Sequence, residues 1–324
     1  PDLDVAARRI AVVAPEPPTW LDDVLEDDDV AVRVFPLWPA IRRAASVWAS
    51  GRDDRTIATR FTLGAQLDRL AAQWLSPDAE VVYAPSFCAR RTFAEARKRR
   101  GPRVVCHLVE DVPDLRQLNA DLDIAAAAHP DAPSLRRYRA TPRQIAAQES
   151  ERESADVVHV RSRFVQDLQL RADLASGHVR TFGDPPVVAP RRHVDTNAPT
   201  ILLAGSATAR AGTYEAVHAL DALSSATLLV KVGDALEPGD LLAHPRVRAI
   251  DAVGGPFERI DAVIAPSWTE VHLPELPHAA FRGIPIVATS RAAGVIDLDQ
   301  AGASVEPGDA DGLVSAVQKV LAAY

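Results

Sequence analysis

Residues 261–289, DAVIAPSWTEVHLPELPHAAFRGIPIVAT, decide the reading of the fold. The apolar run at 262–265 ends in Pro266-Ser267, so a buried strand gives way to a loop. A short helix is predicted over 274–282, closed by Gly283, and a second apolar strand over 284–288. Strand, helix and strand in this order form a βαβ unit, which needs a parallel sheet with a crossover helix.

The same alternation extends outward in both directions. A helix is predicted over 310–322. Upstream lie strands at 247–251, 227–232 and 200–204, with a helix over 213–223. At 185–199 (PPVVAPRRHVDTNAP) four prolines interrupt the pattern, and the segment reads as a linker. Before it come a helix over 162–174, a strand at 157–160 and an Ala-rich helical stretch reaching about residue 154. A strand at 104–106 ends at His107. The helix 87–100 takes Ser86 as its N-cap, and a strand covers 81–84. Leu63, Leu67, Leu70 and Leu75 form a helical stripe within 62–75, and strands are predicted at 10–13 and 30–35. The expectation is an α/β chain of two Rossmann-like βαβ domains, residues 1–184 and 200–324, joined by the linker 185–199. They would face each other across a cleft at the carboxyl ends of their strands.

Composition agrees with this class. The chain has 324 residues, 47% of them hydrophobic and 25% charged, enough apolar material for two cores. Its net charge of −8 argues against general nucleic-acid binding, which requires a cationic surface. Two cysteines cannot make a disulfide scaffold and suggest a reducing compartment. No apolar run approaches the ~20 residues of a membrane span, and no signal peptide opens the chain. The expected location is cytoplasmic. Two basic stretches, 38–60 with Trp38 and Trp48 near Arg42, Arg43 and Arg52, and 87–103 ending Arg97-Lys98-Arg99-Arg100, raise peripheral contact with an anionic membrane at its inner face as a further expectation. The other reading of both is a solvated helix face.

Residues 261–289 resemble the signature of retaining, GT-B-fold glycosyltransferases of family 4, with Pro266-Ser267, Glu270, Gly283, Pro285 and Val287-Ala288-Thr289 on matching positions. In the expected order, 149–168 (ESERESADVVHVRSRFVQDL), 201–212, 228–234 (LLVKVGD) and 305–321 (VEPGDADGLVSAVQKVL) resemble further segments of that family. The likeness covers most of 145–324 and only loosely the first 100 residues, as in a divergent member. It implies a GT-B fold and metal-independent transfer of a sugar from a nucleotide-diphosphate donor to an acceptor, with retention of configuration. The nucleotide-sugar is a co-substrate and no cofactor is expected. The acceptor, a glycan, lipid or small molecule, would lie on 1–184 and the donor on 200–324, with closure about the linker excluding water.

The resemblance also assigns roles. Glu270 would contact the donor sugar or stabilise positive charge at its anomeric carbon; otherwise it is a solvated loop carboxylate. The family's second Glu, the ribose partner, is His278 here, which can hydrogen-bond a hydroxyl or, when protonated, meet a phosphate. Glu275, one turn earlier, is the substitute. Val271-His272-Leu273-Pro274 replaces a loop usually rich in glycine, and His272 belongs to the candidate donor set. In 205–212 (GSATARAG), Gly205 and Ser206 open the phosphate turn. Ser206 and Ala211 stand where the family carries Arg and Lys, leaving Arg210 and Lys231 as the candidate cations beside surface roles for each. His107 matches an N-domain histidine facing the reaction centre, or is a structural strand-end histidine; Glu110 and Asp111, expected in the following loop, would orient the acceptor hydroxyl. Ala14-Pro15-Glu16-Pro17-Pro18 replaces the glycine-rich first turn of many relatives. Two alternatives remain open: a degenerate relative that binds a ligand or partner without transfer, and another GT-B activity such as an epimerase or phosphorylase.

Overall fold

The computed structural model describes residues 10–14, 30–34, 54–110, 112–160, 162–172, 178–181, 188–190, 197–232, 243–250, 257–269 and 273–323. By contact the chain divides into two units. Unit 1 comprises Pro1–Arg116 and Ala140–Gly183; unit 2 comprises Gln117–Arg139 and Asp184–Tyr324. The expected linker falls mostly outside the described residues.

In unit 1 the strands β1 (Ile10–Ala14), β2 (Val30–Val34), β3 (Val81–Pro85), β4 (Val105–Glu110), β5 (Val157–Val160) and β6 (His178–Thr181) form one sheet in the order β2-β1-β3-β4-β5-β6. Every described pairing is parallel. Its helices include α1 (Asp54–Trp74) and α2 (Arg90–Arg100). The helices α3 (Leu115–Ala128) and α4 (Pro133–Arg137) come next in sequence, before α5 (Pro142–Ser154) and α6 (Arg163–Ala172). Val82, Phe93, Cys106, Leu108 and Val158 lie fully out of solvent in its core, and both cysteines are buried unbridged thiols.

Unit 2 repeats the design. The strands β7 (Thr200–Ser206), β8 (Thr227–Lys231), β9 (Val247–Ile250), β10 (Ala262–Ala265), β11 (Ile286–Thr289) and β12 (Gly302–Val305) order as β12-β11-β10-β7-β8-β9, again all parallel. The helix α7 (Thr213–Ala222) follows β7, α8 (Glu275–Phe281) precedes β11, and α11 (Ala310–Ala322) closes the chain after two one-turn helices, α9 (Ser290–Ala293) and α10 (Leu298–Ala301). Alternation along β7 sends Ile201 and Leu203 to one face, with Leu228, Leu313 and Val317. Leu202 and Ala204 face the opposite side, with Val263, Leu276 and Ile286. A sheet covered on both faces explains why its strands are apolar throughout.

The segment Gln117–Arg139, which sequence reading kept in the first domain, groups with unit 2. Buried Asp121 meets the Arg291 guanidinium at 3.2 Å, and the Arg210 guanidinium lies 4.3 Å from the centre of the Tyr138 ring. No described helix is long and apolar enough to cross a membrane.

Candidate functional site

Doubly wound sheets bind ligands beyond the carboxyl ends of their strands, where the chain order reverses. In unit 2 that point lies between β7 and β10. Beyond β7, Gly205 has φ of +82°, and a Cβ there would stand 2.9 Å from Leu273 Cδ2. Gly212 has φ of +81°, and a Cβ would collide with the carbonyl of Pro266. Both positions therefore require glycine. Between them, Ala207 donates to the Lys231 carbonyl at 2.9 Å, and the Thr208 carbonyl accepts from Ala211 N–H at 3.0 Å and Thr213 Oγ1 at 2.8 Å. This compact turn delivers the chain into α7.

The loop after β10 is tied to that turn. Trp268 N–H donates to the Arg210 carbonyl at 3.0 Å, as does the Ser267 hydroxyl at 3.1 Å, and the Thr289 hydroxyl donates to the Ser267 carbonyl at 2.8 Å. Arg210 is half-buried; Nη1 donates to Thr269 Oγ1 at 3.2 Å while its plane lies over Tyr138. Buried Glu215, in the first turn of α7, accepts from Trp268 Nε1 at 3.1 Å and meets His129 Nε2 at 2.7 Å through the same Oε1. His129 in turn stacks on Tyr214 at 4.5 Å. Sequence reasoning passed over Thr208, Glu215, Trp268, Thr269, His129 and Tyr138; the only local signal was an acidic residue in a helix's first turn.

Of the donor residues expected from sequence, the structure gathers Gly205, Ser206 and Arg210 in this turn. Half-buried Lys231 ends β8 in register with Ser206. Glu275 opens α8 with its side chain inward, 7% exposed, and its Oε2 has no hydrogen-bond partner among the described residues. His278, one turn on, is exposed with its ring 6.0 Å from Phe257. Glu270, His272 and, in unit 1, Asp111 lie outside the described residues.

Unit 1 corrects several expectations. His107 lies inside β4 rather than at a strand end, and its ring clusters with those of Tyr83 (4.3 Å) and His159 (5.2 Å). Its Nδ1 lies 2.9 Å from His159 Nε2. Burial pushes both histidines down to about 4, so the pair is neutral at pH 7 and one ring donates to the other. Glu110 is the last residue of β4, not a loop residue. Its carboxylate accepts from Arg152 Nε at 2.8 Å, Arg152 Nη2 at 3.0 Å and Gln169 Nε2 at 2.7 Å, while Arg152 Nη1 reaches Asp114 at 2.6 Å. Each of Glu110, Asp114 and Arg152 is at most 4% exposed, so Glu110 is part of a buried ionic network rather than a loop carboxylate.

The basic run at the end of α2 is also engaged. Arg97 pairs with Asp156, Arg99 with Glu95 and Arg100 with Glu80, at the helix end whose dipole favours cations. The stretch 38–60 is described only from residue 54.

No family model and no curated protein matches the chain. Among solved structures, the sucrose-phosphate synthase of Thermosynechococcus elongatus is 16% identical with a TM-score of 0.55, over 82% of this chain and 69% of that one. Anabaena HepE in complex with UDP is 12% identical with a TM-score of 0.53, over 96% and 88%. TarM is 10% identical with a TM-score of 0.52 over 79% of this chain, which spans about half (51%) of its length. At these identities the likeness establishes the fold alone: two parallel-sheet, Rossmann-like units of the GT-B type.

Proposed function

We propose that this chain is a glycosyltransferase that takes a sugar from a nucleotide-diphosphate donor on unit 2 and transfers it to an acceptor on unit 1. The observation that carries the reading is the glycine-enforced turn Gly205–Gly212, stitched to the loop after β10 at the switch point of a fold shared with a UDP complex. As the sugar leaves, negative charge gathers on the diphosphate, and the transition state falls in energy where donors already point at that charge. The first turn of α7 supplies helix-dipole potential, and Arg210 is the nearest candidate cation to it. The orphaned Glu275 oxygen is an acceptor suited to a ribose hydroxyl, and Lys231 is the second candidate cation. Glu270 keeps its proposed role at the transferred sugar, and His272 and His278 stay in the proposed donor set. His107 has no proposed contact with the sugar, since its ring is occupied by Tyr83 and His159. Retention of configuration and independence of a divalent metal belong to the same reading.

One observation favours a second reading, a chain that binds a ligand or partner without transfer. Arg210 is already shared by Tyr138 and Thr269, and the buried Glu215 carboxylate sits in the helix turn where a phosphate would otherwise lie. Calorimetric titration with a panel of nucleoside diphosphates separates the two. Micromolar binding of one, lost in Arg210→Ala, supports a donor site; binding of none favours the second reading. With turnover in hand, Glu270→Ala lowers kcat far more than donor affinity if that carboxylate acts in the transition state. The anomeric configuration of the product, read by NMR, and turnover in excess chelator test the remaining two points.

A further inference from the structure

A cavity of about 390 Å³ opens in unit 1, bounded by α1, the turn after β3, the start of α2 and α5. Four arginines line it: Arg69, Arg90, Arg91 and Arg143. All four are exposed, and among the described residues no ion pair or carboxylate hydrogen bond engages their guanidinium groups. This sets them apart from Arg97, Arg99 and Arg100 at the other end of α2, each paired with an acid. Four guanidinium groups gathered on one rim repel one another, a cost that a bound anion lowers.

The walls are held in place. Asp68 and Glu151 line the cavity too, but their oxygens are committed to backbone. Asp68 accepts from Arg91 N–H at 2.8 Å and Thr92 N–H at 2.9 Å; Glu151 accepts from Phe87 N–H at 2.7 Å and Ala89 N–H at 2.9 Å. The two acids fix the arginine-bearing backbone and leave the guanidinium groups to solvent. They also satisfy the first amides of α2, so an anion here would be met by side chains rather than by the helix end.

Phe87 is a second, independent observation. It is the only non-glycine residue with positive φ, +66°, among the described residues. A bulky side chain in that region is strained, and such strain gathers where a ring must stand in one place. Gly64 makes the room: a Cβ there would lie 2.9 Å from the Phe87 Cβ. The ring meets Phe61 edge-on at 5.3 Å, and Arg143 stands 5.6 Å above Phe61. The cavity thus joins a cationic rim to an aromatic wall, within the size range of small-molecule sites.

We propose that this cavity binds a phosphomonoester, its phosphate held by Arg69, Arg90, Arg91 and Arg143 and its carbon skeleton resting on Phe61 and Phe87. Guanidinium groups suit phosphate because their planar forks give two parallel hydrogen bonds per oxygen pair. As the acceptor subsite of unit 1 the assignment rests on the glycosyltransferase reading; as a phosphate-ester site it does not.

The test uses the full chain. Calorimetry with glycerol 3-phosphate, glucose 6-phosphate and inorganic phosphate is run beside sedimentation with phosphatidylcholine vesicles carrying phosphatidic acid, matched in charge by phosphatidylglycerol. Saturable binding of a soluble ester, weakened about tenfold in Arg90→Ala and about a hundredfold in Arg90→Ala/Arg143→Ala, supports the site with a soluble ligand. Binding confined to phosphatidic acid vesicles, lost in the double variant, supports it with a lipid headgroup. Binding to neither, or binding unchanged in the double variant, overturns it. A readout without mutation guards against misfolding: the bound ester should shield these four arginines from phenylglyoxal, mapped by mass spectrometry, and unshielded arginines overturn the proposal. Nucleoside diphosphate binding that depends on Arg210 but not on Arg90 or Arg143 reports on the donor reading separately, so either can fail alone.

Discussion

Replacing Arg152 with Met should destabilise unit 1 severely, and the structure sets the scale. Arg152 is 3% exposed and makes three charged hydrogen bonds, two to Glu110 and one to Asp114, which are 3% and 4% exposed. Burial drives the Glu110 carboxyl upward, and the Arg152 charge and hydrogen bonds pull it back. Without the guanidinium, both buried carboxylates lose their cation, and Glu110 keeps the Gln169 amide as a donor. Breaking one buried pair costs about 3–5 kcal/mol, and two acids that lose the same cation place this variant at the upper end. At about 2–4 °C per kcal/mol the unit 1 transition should drop by ~10 °C or more. Thermal and urea unfolding by circular dichroism would measure it, following the shifted transition because two units need not melt together. The cost should also depend on pH. In the variant nothing from Arg152 offsets the burial that raises the Glu110 carboxyl, so the deficit should shrink as it protonates in acid and grow as pH rises. Adding Glu110→Gln and Asp114→Asn should recover most of the loss. A deficit of less than about 1 kcal/mol in Arg152→Met, or a triple variant no better than the single, would refute the reasoning.

Three further outcomes follow from the same geometry. Gly212→Ala puts a Cβ against the Pro266 carbonyl at φ +81°, so it should cost more than ~2 kcal/mol and abolish nucleotide binding by unit 2; a wild-type melt would show that the turn can relax. His107 and His159 titrate near 4 when folded, against 6.5 ordinarily, so the unfolded chain takes up their protons first. Their contribution is complete above about pH 6.5 and falls on acidification towards 4, at up to about 1.4 kcal/mol per pH unit for each proton. Replacing both by Gln should flatten that acid limb, measured as urea midpoints across pH, and an unchanged limb counts against it. For Glu151 the sign reverses. Burial raises its carboxyl to about 8 in spite of two backbone hydrogen bonds, so stability is lost as pH climbs from 4.5 through 8, and Glu151→Gln should remove that slope.

The architecture was legible because its strands are short apolar runs bounded by Pro, Gly and Ser, and such runs alternating with helices have few solutions other than parallel sheets. Two strands escaped: β6 reads HVRT and β12 reads GASV, four-residue runs with few apolar β-formers. What the sequence hid was set by partners far away. Ser86 has the chemistry of an N-cap, yet α2 begins at Arg90 and its first amides are met by Glu151 and Asp68, 62 and 23 residues off. A strand was expected to stop at His107, a polar residue; it runs on through Leu108 and Val109 to Glu110, paired with β3 and β5, and the Glu110 carboxylate is met by Arg152, 42 residues later. The basic face of α2 shows the same limit most clearly. Sequence reading took 87–103 as one basic stretch and singled out its dense end, Arg97–Arg100. Charge density along a chain does not say which charges are answered. The dense run ends a helix beside Asp156, Glu95 and Glu80, whereas Arg90 and Arg91 join Arg69 and Arg143 from two other helices round a cavity whose acids serve the backbone. Among the described residues, Arg90 and Arg91 are the arginines of α2 without an ion pair, at the opposite end of the helix from the dense run, and only the tertiary fold could set them beside Arg69 and Arg143.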